Sequence, residues 1–273
     1  MPATALGLAL AAAFVHALWN FLLARARDPE AATAVALVVA VVAFAIPAVV
    51  FWDVDARVWP YAIGSATLEL VYFALLAAAY RRAELSLVYP IARGSAPVLV
   101  LVIAVVGVGV STSWQQAVGV VLVACGIVLV RGLRGETRPG AAFGLVIGAC
   151  IAAYTLIDNS GIEHASPVSY LEVTMVPPTI AYAAAVLAGK GRAAVRAEAN
   201  LSAVVAGLAT FGAYALVLAA LERASAASVA AVRETSVLVA TALAAAFLKE
   251  QIGWARMAGA LAVVAGIALV SLA

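Results

Sequence analysis

"WQQAVGVVLVACGIVLV", residues 114–130, returns later in the chain as "WARMAGALAVVAGIALV", residues 254–270. At a constant offset of 140, Trp114 falls on Trp254, Gly119 on Gly259 and Gly126 on Gly266. Ile127, Leu129 and Val130 fall on Ile267, Leu269 and Val270. Self-similarity at a fixed offset marks an internal duplication. It extends beyond these two runs. Arg93 matches Arg233 at the same offset, and at offset 138 Pro29 matches Pro167 and Leu18 matches Leu156. His16 then falls on Tyr154 and Asn20 on Asp158.

The duplicated material is apolar, and so is the rest of the chain. Of 273 residues, 66% are hydrophobic and 11% charged, against about 45–50% and 25% for a soluble domain. This composition specifies a multi-pass membrane protein and excludes a soluble protein with a large core. A net charge of +2 gives no reason to expect nucleic acid as a partner. Cys125 and Cys150 both lie in apolar stretches without metal-ligand spacing, so they read as small packing residues. No metal and no cofactor are expected. The N-terminus lacks a basic leader region, and its apolar run from Ala5 to Ala24 is long enough to span, so it is expected to be a retained helix.

Continuous apolar runs place helices near 4–24, 31–52, 60–80, 87–109, 114–131, 141–161, 167–188, 200–221, 226–248 and 253–272. The runs are not alternating, which favours helices over barrel strands. The expected fold is an all-α integral membrane protein with ten transmembrane helices. They divide into two repeats of five, residues 1–134 and 135–273. An odd number per repeat forces the second half to enter the membrane upside down, an inverted-topology repeat. Short connectors hold most of the charge. The odd ones carry 12 Lys and Arg and the even ones only Arg57 and Arg223. By the positive-inside rule the odd connectors are cytoplasmic, and both termini share the extracytoplasmic side of a plasma or inner cell membrane.

In its repeat ends, "SWQQAVGVVLVACGIVLV" and "FLKEQIGWARMAGALAVVAGIALV", the chain resembles the drug/metabolite transporter superfamily, EamA-type branch. The likeness covers the whole chain. It implies ten helices in two five-helix repeats and a transport function. Two features depart from the family pattern. The family often has a Glu just before the fifth helix of each repeat; Glu250 stands there in the second half, but Val110 in the first. Family members are also often drawn with cytoplasmic termini, against the charge count.

Ionisable side chains inside a span are expensive and face a cavity or a partner. Here they are His16, Glu69, Arg93, Asp158, Glu172, Arg233 and Glu234. Glu69 falls near the middle of the third helix, with Tyr72 on the same face. It reads either as a proton-titrated carboxylate or as a packing residue. Arg93 and Arg233 are the repeat-paired charges, and inversion brings them in from opposite faces. Both offer bidentate donors to a carboxylate or phosphate; the alternative is a structural pair with Glu69, Glu172 or Glu234. Tyr89, Arg93 and Pro97 share one face of the fourth helix. Pro97 is one hinge candidate, and the Pro177–Pro178 pair, expected to break the regular ladder of the seventh helix as a hinge or a plain kink, is another.

His16 and Asn20, with Trp19 adjacent, form a polar stripe whose counterpart is Tyr154 and Asp158. The stripe reads as cavity lining or as interhelical hydrogen-bond glue. The expected substrate-binding set is therefore Arg93, Arg233, Tyr89, Glu69, Tyr72, His16, Trp19, Asn20, Tyr154 and Asp158. Glu69, His16, Glu172 and Glu234 are candidates for proton coupling. The paired glycines read as packing between the fifth and tenth helices.

The leading expectation is a secondary-active transporter working by alternating access on a small polar metabolite. Two arginines favour an anionic or zwitterionic substrate, an amino acid or organic acid, with proton-coupled export as one form. Other expected partners are the bilayer and, at most, a second copy in a weak homodimer. A non-transporting receptor or scaffold is the alternative. An intramembrane enzyme is disfavoured, since His16 has no Ser or Cys at helical spacing and His164 lies in a loop. No Walker A loop is present for nucleotide-driven pumping.

Overall fold

The computed structural model describes residues 1–82, 85–131, 138–239, 242 and 253–273. Within these the chain forms α1 (Ala3–Ala24), α2 (Pro29–Val50), a 3-10 turn (Ala56–Val58), α3 (Trp59–Arg82) and α4 (Leu85–Val102). A π-helical turn (Ile103–Gly107) ends α4, and α5 (Trp114–Arg131) closes the first half. The second half contains α6 (Arg138–Gly161), α7 (Pro167–Ala197), α8 (Leu201–Leu221), α9 (Ala226–Arg233) and α10 (Trp254–Leu272). Glu234 interrupts α9, and helical turns resume over 235–239. The expected end of the ninth helix at 248, the repeat boundary at 134, Glu84, Arg134, Lys249 and Glu250 lie outside the described residues, as does the side chain of Tyr89.

The repeat is visible in how helices start. The matched prolines Pro29 and Pro167 each occupy the first turn of a helix, behind the N-caps Asp28 and Ser166. Proline suits this place because its missing N–H would be unpaired there anyway. Among the described residues, six helices are long and apolar enough to cross a membrane; Ile91–Gly107, Trp114–Val130 and Met257–Leu272 are shorter apolar helices. On α2, Val42, Ile46 and Val49 are 66%, 71% and 71% exposed and follow one face. An apolar stripe of this kind is a liability in water and the natural surface toward lipid. The matched Trp114 and Trp254 are both exposed at helix starts, a place suited to the interfacial aromatic belt.

The helix contacts map onto themselves when the halves are exchanged. α1 packs on α8 as α6 packs on α3, α2 on α8 as α7 on α3, and α4 on α6 as α9 on α1. The pairs α2–α7, α4–α9 and α5–α10 cross the pseudo-two-fold axis. The Met1 amine donates to the Ser271 carbonyl at 3.0 Å, so the two termini share a side.

The glycines behind the repeat signature make the α5–α10 contact. Gly119 faces Gly266 and Gly126 faces Gly259, so the two helices run antiparallel. A Cβ on Gly126 would lie 2.7 Å from the Gly259 carbonyl oxygen, and one on Gly259 would lie 2.6 Å from that of Gly126. These are backbone atoms that cannot step aside. Gly126→Leu is therefore expected to destabilise the fold by at least ~1–3 kcal/mol, the usual range for overpacking. Gly212 has open space around it and Gly212→Ala serves as the neutral control. Thermal unfolding in detergent reads both, and equal melting temperatures would contradict the packing role.

The loops are fastened differently at the two ends. At one end, Val54 and Ala165 form an isolated antiparallel bridge. There the Asp55 amide donates to the His164 carbonyl at 2.8 Å, and the Ser166 amide to that of Asp53 at 2.9 Å. The Arg57 guanidinium beside Asp55 pulls its carboxyl down to about 2. At the same end, Gln116 Nε2 donates to Ser225 and Ser228, both at 2.8 Å, joining the starts of α5 and α9.

At the other end, Lys190 Nζ lies 2.7 Å from Asp28 and 2.8 Å from Glu30. The Glu198 carboxylate accepts from the Asp28 amide at 3.0 Å. The Lys190 hydrogen bond holds the Asp28 carboxyl below its ordinary range. A depressed carboxyl pKa contributes stability above the unfolded value and loses it as pH falls through the folded one. Asp28→Asn keeps a good N-cap but removes the charge. It is expected to lower the melting temperature slightly near neutral pH, by less than ~1 kcal/mol for so exposed a pair. That difference should close in acid below the ordinary carboxylate range, and one that persists unchanged would contradict the linkage.

α7 runs through Pro177 and Pro178 and kinks instead at Gly191, with φ 79° and ψ 168°. A proline's fixed φ is compatible with a helix, and the loss there is of N–H donors, not of the backbone path. The helical turns from Gly191 to Ala197 form a second segment across the kink, because the Ala- and Arg-rich stretch there is a good helix former despite its charge.

Candidate functional site

The buried charges of both halves meet around the pseudo-two-fold axis. Arg93 on α4 and Arg233 at the end of α9 are 6% and 8% exposed. Glu69 on α3, Asp158 on α6 and Glu234 after α9 are 6%, 1% and 3% exposed. These five residues supply two guanidiniums and three carboxylates. His16 on α1 has both arginines as charged neighbours, and Glu69 has Asp158 and Arg233.

Arg93 is engaged across the boundary between halves. Its Nε lies 3.0 Å from Glu234 Oε2, and its Nη2 donates to Ser236 Oγ at 3.1 Å. Arg233 differs. Among the described residues it has no hydrogen-bond or ion-pair partner, and its charged neighbours Glu69 and Asp158 act from beyond contact distance. None of its nitrogens is among the fully sealed, unpartnered polar atoms, although the residue as a whole is buried.

Asp158 anchors the polar lattice of the second half. Its carboxylate accepts from the Tyr170 hydroxyl at 2.9 Å and from the Tyr214 hydroxyl, and Ser65 of α3 lies alongside. Four helices, α3, α6, α7 and α8, thus converge on one carboxylate. Tyr154, one turn before Asp158, lies edge-on between Tyr72 and Tyr214, with ring centroids 6.5 and 6.4 Å away. Its charged neighbours are Glu69, Asp158 and both arginines. Tyr72, Tyr154 and Tyr214 therefore give the charged cluster an aromatic wall.

The two polar stripes do different things. His16 meets Trp19 edge-on at 4.9 Å. The Asn20 amide, however, donates at 2.8 Å to the His16 carbonyl of its own helix. It does not reach the cluster as its counterpart Asp158 does. Trp19 packs with Leu22, Leu23, Ala32, Ala36 and Ala206, and its Nε1 is buried without a partner. Glu172 is buried on α7 with Oε2 unpartnered, and no charged residue of the cluster acts on it. Pro97 lies in α4 one turn beyond Arg93, and the helix continues through it.

Sequence reading missed Tyr170, Tyr214, Ser65 and Ser236. A lone tyrosine in an apolar span is a visible signal, since a buried hydroxyl needs a partner. Which carboxylate it reaches is set by tertiary packing. No group of three or more His, Cys, Asp or Glu suited to a metal occurs among the described residues. A cleft of about 410 Å³ lies away from the cluster, lined by residues that include Leu22, Arg25, Arg27, Glu198, Asn200 and Ser202.

The model of the EamA-like transporter family matches residues 3–132 and again residues 138–272. The chain belongs to the EamA-like transporter family. Its two matched segments are the two halves described above, so this family member is a multi-pass membrane protein and a transporter of small molecules. No curated protein matches the chain. Among solved structures, one titled "Crystal structure of protein" aligns with a TM-score of 0.78 at 14% identity. The alignment covers 100% of this chain and 99% of that one. At that identity the likeness supports the fold alone.

Proposed function

We propose that the protein is a secondary-active transporter that moves a small zwitterionic metabolite of the amino-acid class by alternating access. The observation that carries this reading is the buried cluster where the halves meet. It holds Arg93 and Arg233 against Glu69, Asp158 and Glu234. A site with both signs suits a molecule with both signs, each end meeting its opposite. A purely anionic metabolite would face a surplus of carboxylates, so the zwitterion is preferred over a dicarboxylate or sugar phosphate. The tyrosine wall suits a modest apolar side chain. Contacts that map onto themselves when the halves are exchanged support a rocking motion about a fixed central site. Glu69 and Asp158 are electrostatic neighbours, and a coupling proton would ride on that pair.

A thermal-shift panel on purified protein, with amino acids, organic acids and sugar phosphates, tests the substrate class. A ligand that binds the folded state raises its melting temperature by mass action. Zwitterionic amino acids should shift it and sugar phosphates should not. Stabilisation only by dianions would overturn the class, and stabilisation by none of the panel would overturn the site.

A further inference from the structure

The duplication placed the same residue at 93 and 233 but did not place the same neighbour after it. Glu234 follows Arg233, whereas Gly94 stands at the equivalent position in the first half, offset by 140. Glu234 crosses the boundary between halves and meets Arg93. The inverted counterpart of that pair would run from residue 94 to Arg233, and a glycine has no carboxylate to give. Gly94 instead packs closely on α5, where an added Cβ would lie 3.4 Å from the Ala124 carbonyl oxygen.

From this asymmetry we infer that the two arginines have divided roles. Arg93, held by Glu234 and Ser236, is a positioning residue that ties α4 of one half to α9 of the other. Arg233 receives the anionic group of the substrate. The inference rests on the central cluster being the transport site and adds which guanidinium does the binding.

The surroundings fit this division. Arg93 Nε is buried against Glu234, and its Nη2 donates to Ser236. If Arg93 left Glu234 for a substrate carboxylate, a buried ion pair would be broken, a strongly unfavourable exchange. Arg233 needs to release nothing. Glu69 and Asp158 stand near it as charged neighbours without contact, the arrangement in which a bound carboxylate and ammonium can each find a partner. Tyr214 and Tyr170 hold Asp158 in place from two other helices, so the acidic side of the site is fixed while the basic side stays open.

Arginine modification tests this without knowledge of the substrate. The intact protein in proteoliposomes is treated with phenylglyoxal, which attacks free guanidines, and adducts at residues 93 and 233 are followed over time by peptide mass spectrometry. Arg233 should react at least about tenfold faster than Arg93, since a buried ion pair strongly resists disruption. In Glu234→Gln, Arg93 should gain reactivity while Arg233 keeps its own. Equal rates at both sites in the parent protein, or an unreactive Arg233, would overturn the division. The reversed pair, Arg93→Glu with Glu234→Arg, adds an independent arm. It should recover folded protein and transport relative to either single change, because the latch survives in mirror form. No recovery over the single variants would overturn the positioning role. The labelling result stands whether or not the substrate is a zwitterion, so its failure and the failure of the substrate class are told apart.

Discussion

Glu234→Leu is expected to lose about 3–5 kcal/mol of stability, the range for removing one partner of a buried ion pair. The Arg93 guanidinium, 6% exposed, would then keep its hydrogen bond to Ser236 Oγ but lose the Glu234 carboxylate. The loss reports an uncompensated buried charge more than the worth of the pair itself. Replacing both residues by apolar ones of similar size, Arg93→Met with Glu234→Leu, should therefore be milder than Glu234→Leu alone. Equilibrium unfolding in mixed micelles measures all three proteins. A Glu234→Leu variant as stable as the parent would remove the pair from the account of how the halves are joined.

Arg233→Leu is expected to behave in the opposite way. No ion pair is broken, so the protein should still insert and fold. Transport should fall by about 10²-fold or more, as for loss of a charge-assisted bidentate contact worth roughly 3 kcal/mol. Arg233→Lys should recover only part of it, since an ammonium lacks the planar fork. Uptake into proteoliposomes, normalised to folded protein, separates this from a folding defect. Undiminished flux in Arg233→Leu would contradict the role of Arg233.

The contrast between these two variants shows what can be read from one chain. Arg93 and Arg233 stand out in sequence because they recur at the repeat offset inside apolar spans. Their roles do not, because they depend on which way a side chain leaves a helix that is interrupted at Glu234. The α5–α10 contact was legible because close approach of two backbones demands glycine, and glycine at seven-residue spacing is plain in the sequence. The same logic failed for Asn20. Its spacing from His16 matches that of Asp158 from Tyr154, yet an amide can satisfy itself on its own backbone one turn back, as this one does. A carboxylate has no donor with which to do so, and Asp158 instead gathers hydroxyls from α7 and α8. The bonds of Tyr170 and Tyr214 to Asp158 were invisible for a related reason: no spacing along one helix encodes a bond to another. The basic stretch after the Gly191 kink, read as a connector, does leave the line of the spanning helix, yet forms helical turns of its own because of its alanines.

Counterflow in proteoliposomes tests the transport account most directly. Vesicles holding the purified protein are loaded with an unlabelled zwitterionic amino acid that stabilises it, and trace labelled compound is supplied outside. Transient accumulation of label that is absent from empty vesicles and from Arg233→Leu is the predicted result. Vesicles in which no zwitterion of the panel exchanges, with the parent protein folded and inserted, would contradict it.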